Sequence, residues 1–234
     1  MVDRYPEIAI RKAGYVGDNR IDEAKSALET YANQIRYGFE IFTDYRDEAN
    51  MNDEVDCYSV EDSVRNVEQA LYDRGALDNA DIHVLIHDCG SGEMGGAGRA
   101  CWDAGVPDDT YYHDGTHRSR NYESVGNYAL VWVNATVRHA PYNLGWYLNT
   151  VIHEVGHTFG LEHSDGGVYW NDEASPMCTW YVESNESVYV DNGDLEGDGE
   201  LCVEDGDWDD SGHTTDVTES CTVHKTELPI EEYF

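Results

Sequence analysis

The run His153-Glu154-Val155-Gly156-His157-Thr158-Phe159-Gly160-Leu161-Glu162-His163 places three imidazoles and a carboxylate at spacings that suit one metal ion and its bound water. On a helix, His153 and His157 share one face about 6 Å apart along the axis, so both rings can reach a single metal. Gly160 can take a backbone conformation closed to other residues, which would end the helix and swing the chain back so that His163 supplies a third ligand. A fourth position then stays open for water. Glu154, next to the first ligand, points to the flank of the metal, where a carboxylate can accept that water's proton. The chemistry is zinc-activated hydrolysis. With 10 His and 22 Gly in 234 residues, the five fixed positions arise by chance with a probability on the order of 10⁻⁴. The competing readings are a structural zinc site and a solvated histidine helix, but closed structural sites take four protein ligands.

Elements able to position these groups are readable around them. At 100° per residue, Leu144, Leu148, Val151, Val155 and Phe159 form one apolar stripe, and His153 and His157 fall on roughly the opposite side. The stripe packs and the histidines face a cleft. Asn143 is the expected N-cap. Upstream, Glu7 to Val16 reads as a strand. A helix follows through Ile21, Ala24, Leu28, Tyr31 and Ile35, capped by Asp18 or Asn19 and stopped at Gly38. Phe39 to Tyr45 alternates as a second strand. Val60, Val64, Val67 and Leu71 give a second helix, whose Ser59-x-x-Asp62 start resembles a capping box. Ile82 to His87 and Tyr128 to Asn134 make two further strands, the latter leading into the histidine helix. In the glycine-rich stretch between them, Gly96, Ala97, Gly98, Arg99 and Ala100 read either as an edge strand able to pair with an extended peptide or as a surface loop.

The eleven-residue run resembles the extended zinc motif H-E-x-x-H-x-x-G-x-x-H of the metzincin metallopeptidases. The resemblance implies an α/β (α+β) fold: a twisted mixed sheet with helices in an upper subdomain, residues 1–163, which includes the zinc helix, and an irregular lower subdomain, 164–234. It implies His153, His157 and His163 as zinc ligands, Glu154 as general base, and Met177 of Ser175-Pro176-Met177 as the Met-turn methionine beneath the metal. Ser164 after His163, and Tyr181 four residues after Met177, are similar to the matrixin branch. The segment from His163 to Met177 is longer than matrixins usually have, and their structural-zinc and calcium loop pattern is absent upstream. The implied activity is that of a secreted zinc-dependent endopeptidase acting on protein or peptide substrates. The rival is a secreted acidic zinc-binding adhesion or interaction module without turnover, which the open fourth position and the retained Glu154 disfavour.

Composition bounds the partners. Against 48 acidic residues stand 14 basic ones, a formal charge of −34, and the only lysines are Lys12, Lys25 and Lys225. Nucleic acid and anionic membranes are poor partners for such a surface, and no apolar run is long enough to span a membrane. Aromatic content of 12% argues against disorder. A lysine-poor acidic surface on a folded chain resembles proteins of extreme halophiles, in which molar salt screens self-repulsion. Six cysteines without C-x-x-C spacing favour disulfides over a thiolate metal site, and Cys89 with Cys101 is one candidate pair among 15 connectivities. We therefore expect an extracellular protein. Residues 1–20 lack a signal-peptide apolar region, so export requires that a secretion signal has been removed. Asp194, Glu196 and Asp198, followed by Asp205, fit an EF-hand-type calcium loop or a bland acidic loop. His83 with His87 and His113 with His117 repeat the four-residue spacing, but on a strand and in a polar loop, and read as ordinary histidines.

Overall fold

The computed structural model describes residues 5–13, 16–44, 60–88, 96–100, 129–135, 145–159, 161, 226–227 and 230. Strands β1 (Glu7–Ala13), β2 (Glu40–Asp44), β3 (Ile82–His87), β4 (Gly96–Ala100) and β5 (Ala129–Asn134) form one sheet in the order β2-β1-β3-β5-β4. The first four are parallel, and β4 runs antiparallel to β5 with Gly96 opposite Val133 and Ala100 opposite Ala129. This is the expected mixed sheet. Helices α1 (Asp18–Gln34), α2 (Val60–Asp73) and α3 (Gly145–Thr158) connect or follow the strands, and a short 3-10 turn, Leu77–Asn79, precedes β3.

Both faces of the central strand β3 are buried, which is why Ile82-His83-Val84-Leu85-Ile86-His87 reads as a nearly continuous apolar run rather than an alternation. Its register is pinned at the start by Asp81. The Glu7 amide donates to Asp81 Oδ2 at 2.8 Å, the Asp81 amide to the Glu7 carbonyl at 2.9 Å, and the Ala129 amide to the Asp81 carbonyl at 2.7 Å. One buried aspartate thus aligns β1, β3 and β5, and a slip of one residue would exchange the two faces of each strand. On one face Ile8, Ile10, Val84, Ile86, Val131 and Val133 share a core with Ile21, Leu28 and Tyr31 of α1 and Val151 and Val155 of α3. α3 lies against α1, β4 and β5, while α2 lies against β5 and the Leu77–Asn79 turn.

Several boundaries differ from expectation. β1 stops at Ala13, not Val16. Helix α1 is not capped by Asp18 or Asn19: Gly17, extended at φ −69° and ψ 146°, is the cap residue, and its carbonyl accepts the Arg20 amide at 2.9 Å. Asp18 instead pairs with Lys12 at 2.6 Å. The helix ends at Gln34, before Gly38, because Ile35 is already extended. Gly38, at φ 71°, makes the turn into β2, a conformation that strains any residue with a Cβ. Ser59, Asn143 and Leu144 lie outside the described residues.

Candidate metal centre

Helix α3 is held by its apolar side. Tyr147, Val151, Ile152, Val155 and Phe159 are buried and Leu148 partly so, whereas His153 and His157 remain partly exposed on the other side. The first turn is fastened by Tyr147, whose hydroxyl donates to the Arg20 carbonyl at 2.7 Å beneath the Arg20 guanidinium, 5.2 Å from the ring centroid. Burial pushes this phenol well above its ordinary range. At the far end, Phe159 stacks on Phe39 with centroids 5.3 Å apart. The sequence stripe named Phe159, Val155 and Val151 but missed Tyr147, although it continues the same four-residue spacing.

The two histidine rings converge. Their Nε2 atoms are 3.0 Å apart and the rings meet nearly at right angles, 87°. Two nitrogens bound to one tetrahedral zinc at 2.0–2.1 Å would be separated by about 3.3 Å, so these rings need shift only by a few tenths of an ångström to share the ion. His157 Nδ1 lies 2.7 Å from the Leu161 carbonyl. A carbonyl only accepts, so the proton sits on Nδ1 and the Nε2 lone pair is left to face a metal, the usual way a backbone group fixes a ligand's tautomer. The donor set fits zinc. Sequence spacing gave no signal for the Leu161 carbonyl, because a main-chain acceptor has no residue code.

The helix ends at Thr158. The Phe159 amide bonds the Gly156 carbonyl at 2.9 Å and the Leu161 amide returns to the same carbonyl at 3.3 Å, a six-to-one bond of the kind that ends helices through an intervening glycine. Gly160 itself and His163 lie outside the described residues. Among the described residues no cluster of three His, Cys, Asp or Glu could hold a metal. Glu154, adjacent to His153, is buried at 6% exposure. Residues 96–100, read from sequence as edge strand or loop, form the terminal strand of the described sheet, and that strand lies against α3. Met177, Asp194, Glu196, Asp198, Asp205 and the six cysteines lie outside the described residues.

The other described histidines are internal. Arg11 Nε donates to His83 Nδ1 at 3.3 Å, and His83 Nε2 donates to the Leu77 carbonyl at 3.0 Å. Burial, reinforced by the Arg11 charge, pushes His83 down to about 3. His87 packs on Trp132 with centroids 4.1 Å apart, and burial takes it to about 3 as well. Their shared spacing with the zinc motif is a property of strand alternation, as expected of ordinary histidines.

No curated protein and no solved structure matches the chain. Residues 27–164, more than half of the sequence and ending one residue beyond His163, match the family model described as metallo-peptidase family M12B, reprolysin-like. With that match, the mixed sheet and the converging imidazoles together, the chain belongs to the M12B reprolysin-like zinc metallopeptidases.

Proposed function

We propose that the chain is a secreted endopeptidase in which His153, His157 and His163 hold zinc and Glu154 is the general base. The observation that carries this reading is the 3.0 Å approach of the two Nε2 atoms on the exposed side of α3. Zinc, when bound, polarises the scissile carbonyl and lowers the pKa of a bound water to about 7. The Glu154 carboxylate takes a proton from the attacking water as the new C–O bond forms, and delivers it to the amine nitrogen as the C–N bond breaks. The Leu161 carbonyl keeps the His157 ring in its ligand orientation. The outer edge of β4 offers main-chain groups to an extended substrate, and the glycines at 96 and 98 let its backbone approach closely.

Glu154→Gln tests the assignment. It should keep zinc but lose a factor of roughly 10² to 10⁴ in casein cleavage measured in molar salt, whereas His163→Ala should lower zinc content after dialysis. Near-normal turnover by a zinc-loaded Glu154→Gln sample removes Glu154 from the mechanism. Zinc retention without chelator-sensitive cleavage in the wild type would favour the binding-module reading.

The finer setting rests on sequence. The six cysteines support export and disulfides, with Cys89–Cys101 as the pair to seek by peptide mapping. The charge of −34 supports a requirement for concentrated salt, which circular dichroism during dialysis from molar to millimolar sodium chloride would test. Calcium at Asp194, Glu196, Asp198 and Asp205 would protect that segment from proteolysis, and digestion indifferent to a calcium chelator would leave an acidic loop.

A further inference from the structure

The turn that follows α3 rests on a column of aromatic rings. Phe159 lies nearly parallel to Phe39, 8° between planes and 5.3 Å between centroids, and Phe39 meets Tyr31 edge-on at 5.2 Å and 86°. Gly38 turns the chain out of α1 so that residue 39 falls between its two aromatic neighbours. The other end of the column is fastened by the C-terminal segment. The Tyr31 hydroxyl is 2.6 Å from Thr226 Oγ1, with both residues 0% exposed. The Arg36 amide donates to Glu227 Oε1 at 2.6 Å, and Ile230, also 0% exposed, joins the same core. Phe159 and Thr226 thus stand at the two ends of this column.

We propose that Thr226, Glu227 and Ile230 are positioning residues for the metal site. Thr226 bonds Tyr31, Glu227 bonds the chain at Arg36 just beyond α1, and Ile230 fills the core that these residues share; Tyr31 in turn supports Phe39, which supports Phe159 and with it the turn whose Leu161 carbonyl orients His157. The physical step is short. Stacked rings and close-packed side chains transmit displacement rather than absorb it, and the His157 ring is tied to this turn by the 2.7 Å bond from its Nδ1. Withdrawing the C-terminal support lets Phe159 tilt, the Leu161 carbonyl moves, and His157 loses the orientation in which its Nε2 faces that of His153.

This inference rests on the zinc reading, and two readouts separate them: zinc affinity by chelator competition, and amide exchange at Phe159 and Leu161 in metal-free protein. Ile230→Ala should weaken zinc binding about tenfold, as loss of a ligand's outer support typically does, and should speed exchange at both amides. Ile230→Leu should restore both. Tyr31→Phe, which removes the Thr226 bond and keeps the ring, should give a smaller change of the same kind and decides the matter if Ile230→Ala does not fold. Leu71→Ala, on the opposite face of the sheet, is the control for general destabilisation and should leave both readouts at wild-type values. Wild-type zinc affinity and exchange in Ile230→Ala, or an equal loss in Leu71→Ala, overturns the proposal alone. A wild type that takes up no zinc overturns the zinc reading and this role together.

Discussion

On the face covered by α1 and α3, the strands bury Ile8, Ile10, Val84, Ile86 and Val133, each 0% exposed; on the other face the same strands bury Arg11, His83, His87 and Trp132 at 1–2%. The second face reaches similar burial by setting an arginine and two imidazoles among Leu85, Leu130 and Trp132. Apolar contact is non-directional, so the first face can seat two helices wherever volume allows, and α3 needs specific contacts at its ends, Tyr147 and Phe159, to fix where its histidines lie. Hydrogen bonds are directional, so the second face is held by particular partners: Arg11 to His83, and His83 to the Leu77 carbonyl. The metal site is carried by the face that is packed, while the face that is bonded carries sensitivity to pH.

Acid should expose this difference most strongly. His83 and His87, at about 3 in the folded chain against an ordinary 6.5, are neutral when folded and protonated when unfolded throughout the interval between those values. The unfolded state therefore binds more protons, so the stability is complete above pH 6.5 and is lost as pH falls toward 3. Two such groups imply a loss on the order of 4 kcal/mol between pH 8 and pH 5. Urea titrations of metal-free protein measure it, and most carboxylates stay ionised in that window. His83→Gln, which can keep one acceptor and one donor, should remove about half of the slope. An unchanged slope would mean that His83 is not the neutral internal group its bonds describe.

Single substitutions sharpen the same contrast. Ile86→Ala, on the apolar face, should cost about 2–5 kcal/mol, and by the same amount at pH 7.5 and pH 5.5. Arg11→Met should cost about 1–3 kcal/mol through the donor lost to His83. It should also flatten the pH dependence, because the Arg11 charge is one cause of the depressed His83 value. A pH-dependent cost for Ile86→Ala would show that the two faces are coupled through the sheet.

How much of this could be read from residues follows from the same distinction. Periodic apolar patterns announced β3 at Ile82–His87 and the buried side of α3, because burial repeats with element geometry, whereas glycine-rich Gly96–Ala100 left edge strand and surface loop both open until the pairing with β5 was seen. The zinc spacing announced the convergence of His153 and His157 for the same reason. Contacts between distant positions left no such trace. Asp81 aligning three strands, the Tyr31 hydroxyl meeting Thr226, and Arg11 buried beside His83 each depend on tertiary register: an isolated Asp or Arg is ordinarily a surface residue, and the helical stripe that includes Tyr31 does not say what its hydroxyl meets. The α1 cap was misplaced by a related cause, since Asp18 pairs with Lys12 while Gly17 takes the cap position.

The smallest expected effect concerns the other end of α3. Tyr147→Phe keeps the ring, and with it the approach of the Arg20 guanidinium, but removes the hydroxyl that donates to the Arg20 carbonyl at 2.7 Å. A neutral hydrogen bond of this kind contributes about 1 kcal/mol net, so the urea midpoint should fall modestly. The effect on metal should be smaller still, because Tyr147 precedes His153 by more than a helical turn, whereas Phe159 begins the turn that carries the Leu161 carbonyl. We therefore expect Tyr147→Phe to change zinc affinity less than Tyr31→Phe does, even where the two lower stability equally. The two variants are matched in chemistry, each a buried phenol hydroxyl deleted, and they act at opposite ends of the same helix. If Tyr147→Phe weakens zinc binding as much as Tyr31→Phe, the helix is positioned as a rigid rod by both anchors, and the special role of its C-terminal turn is refuted.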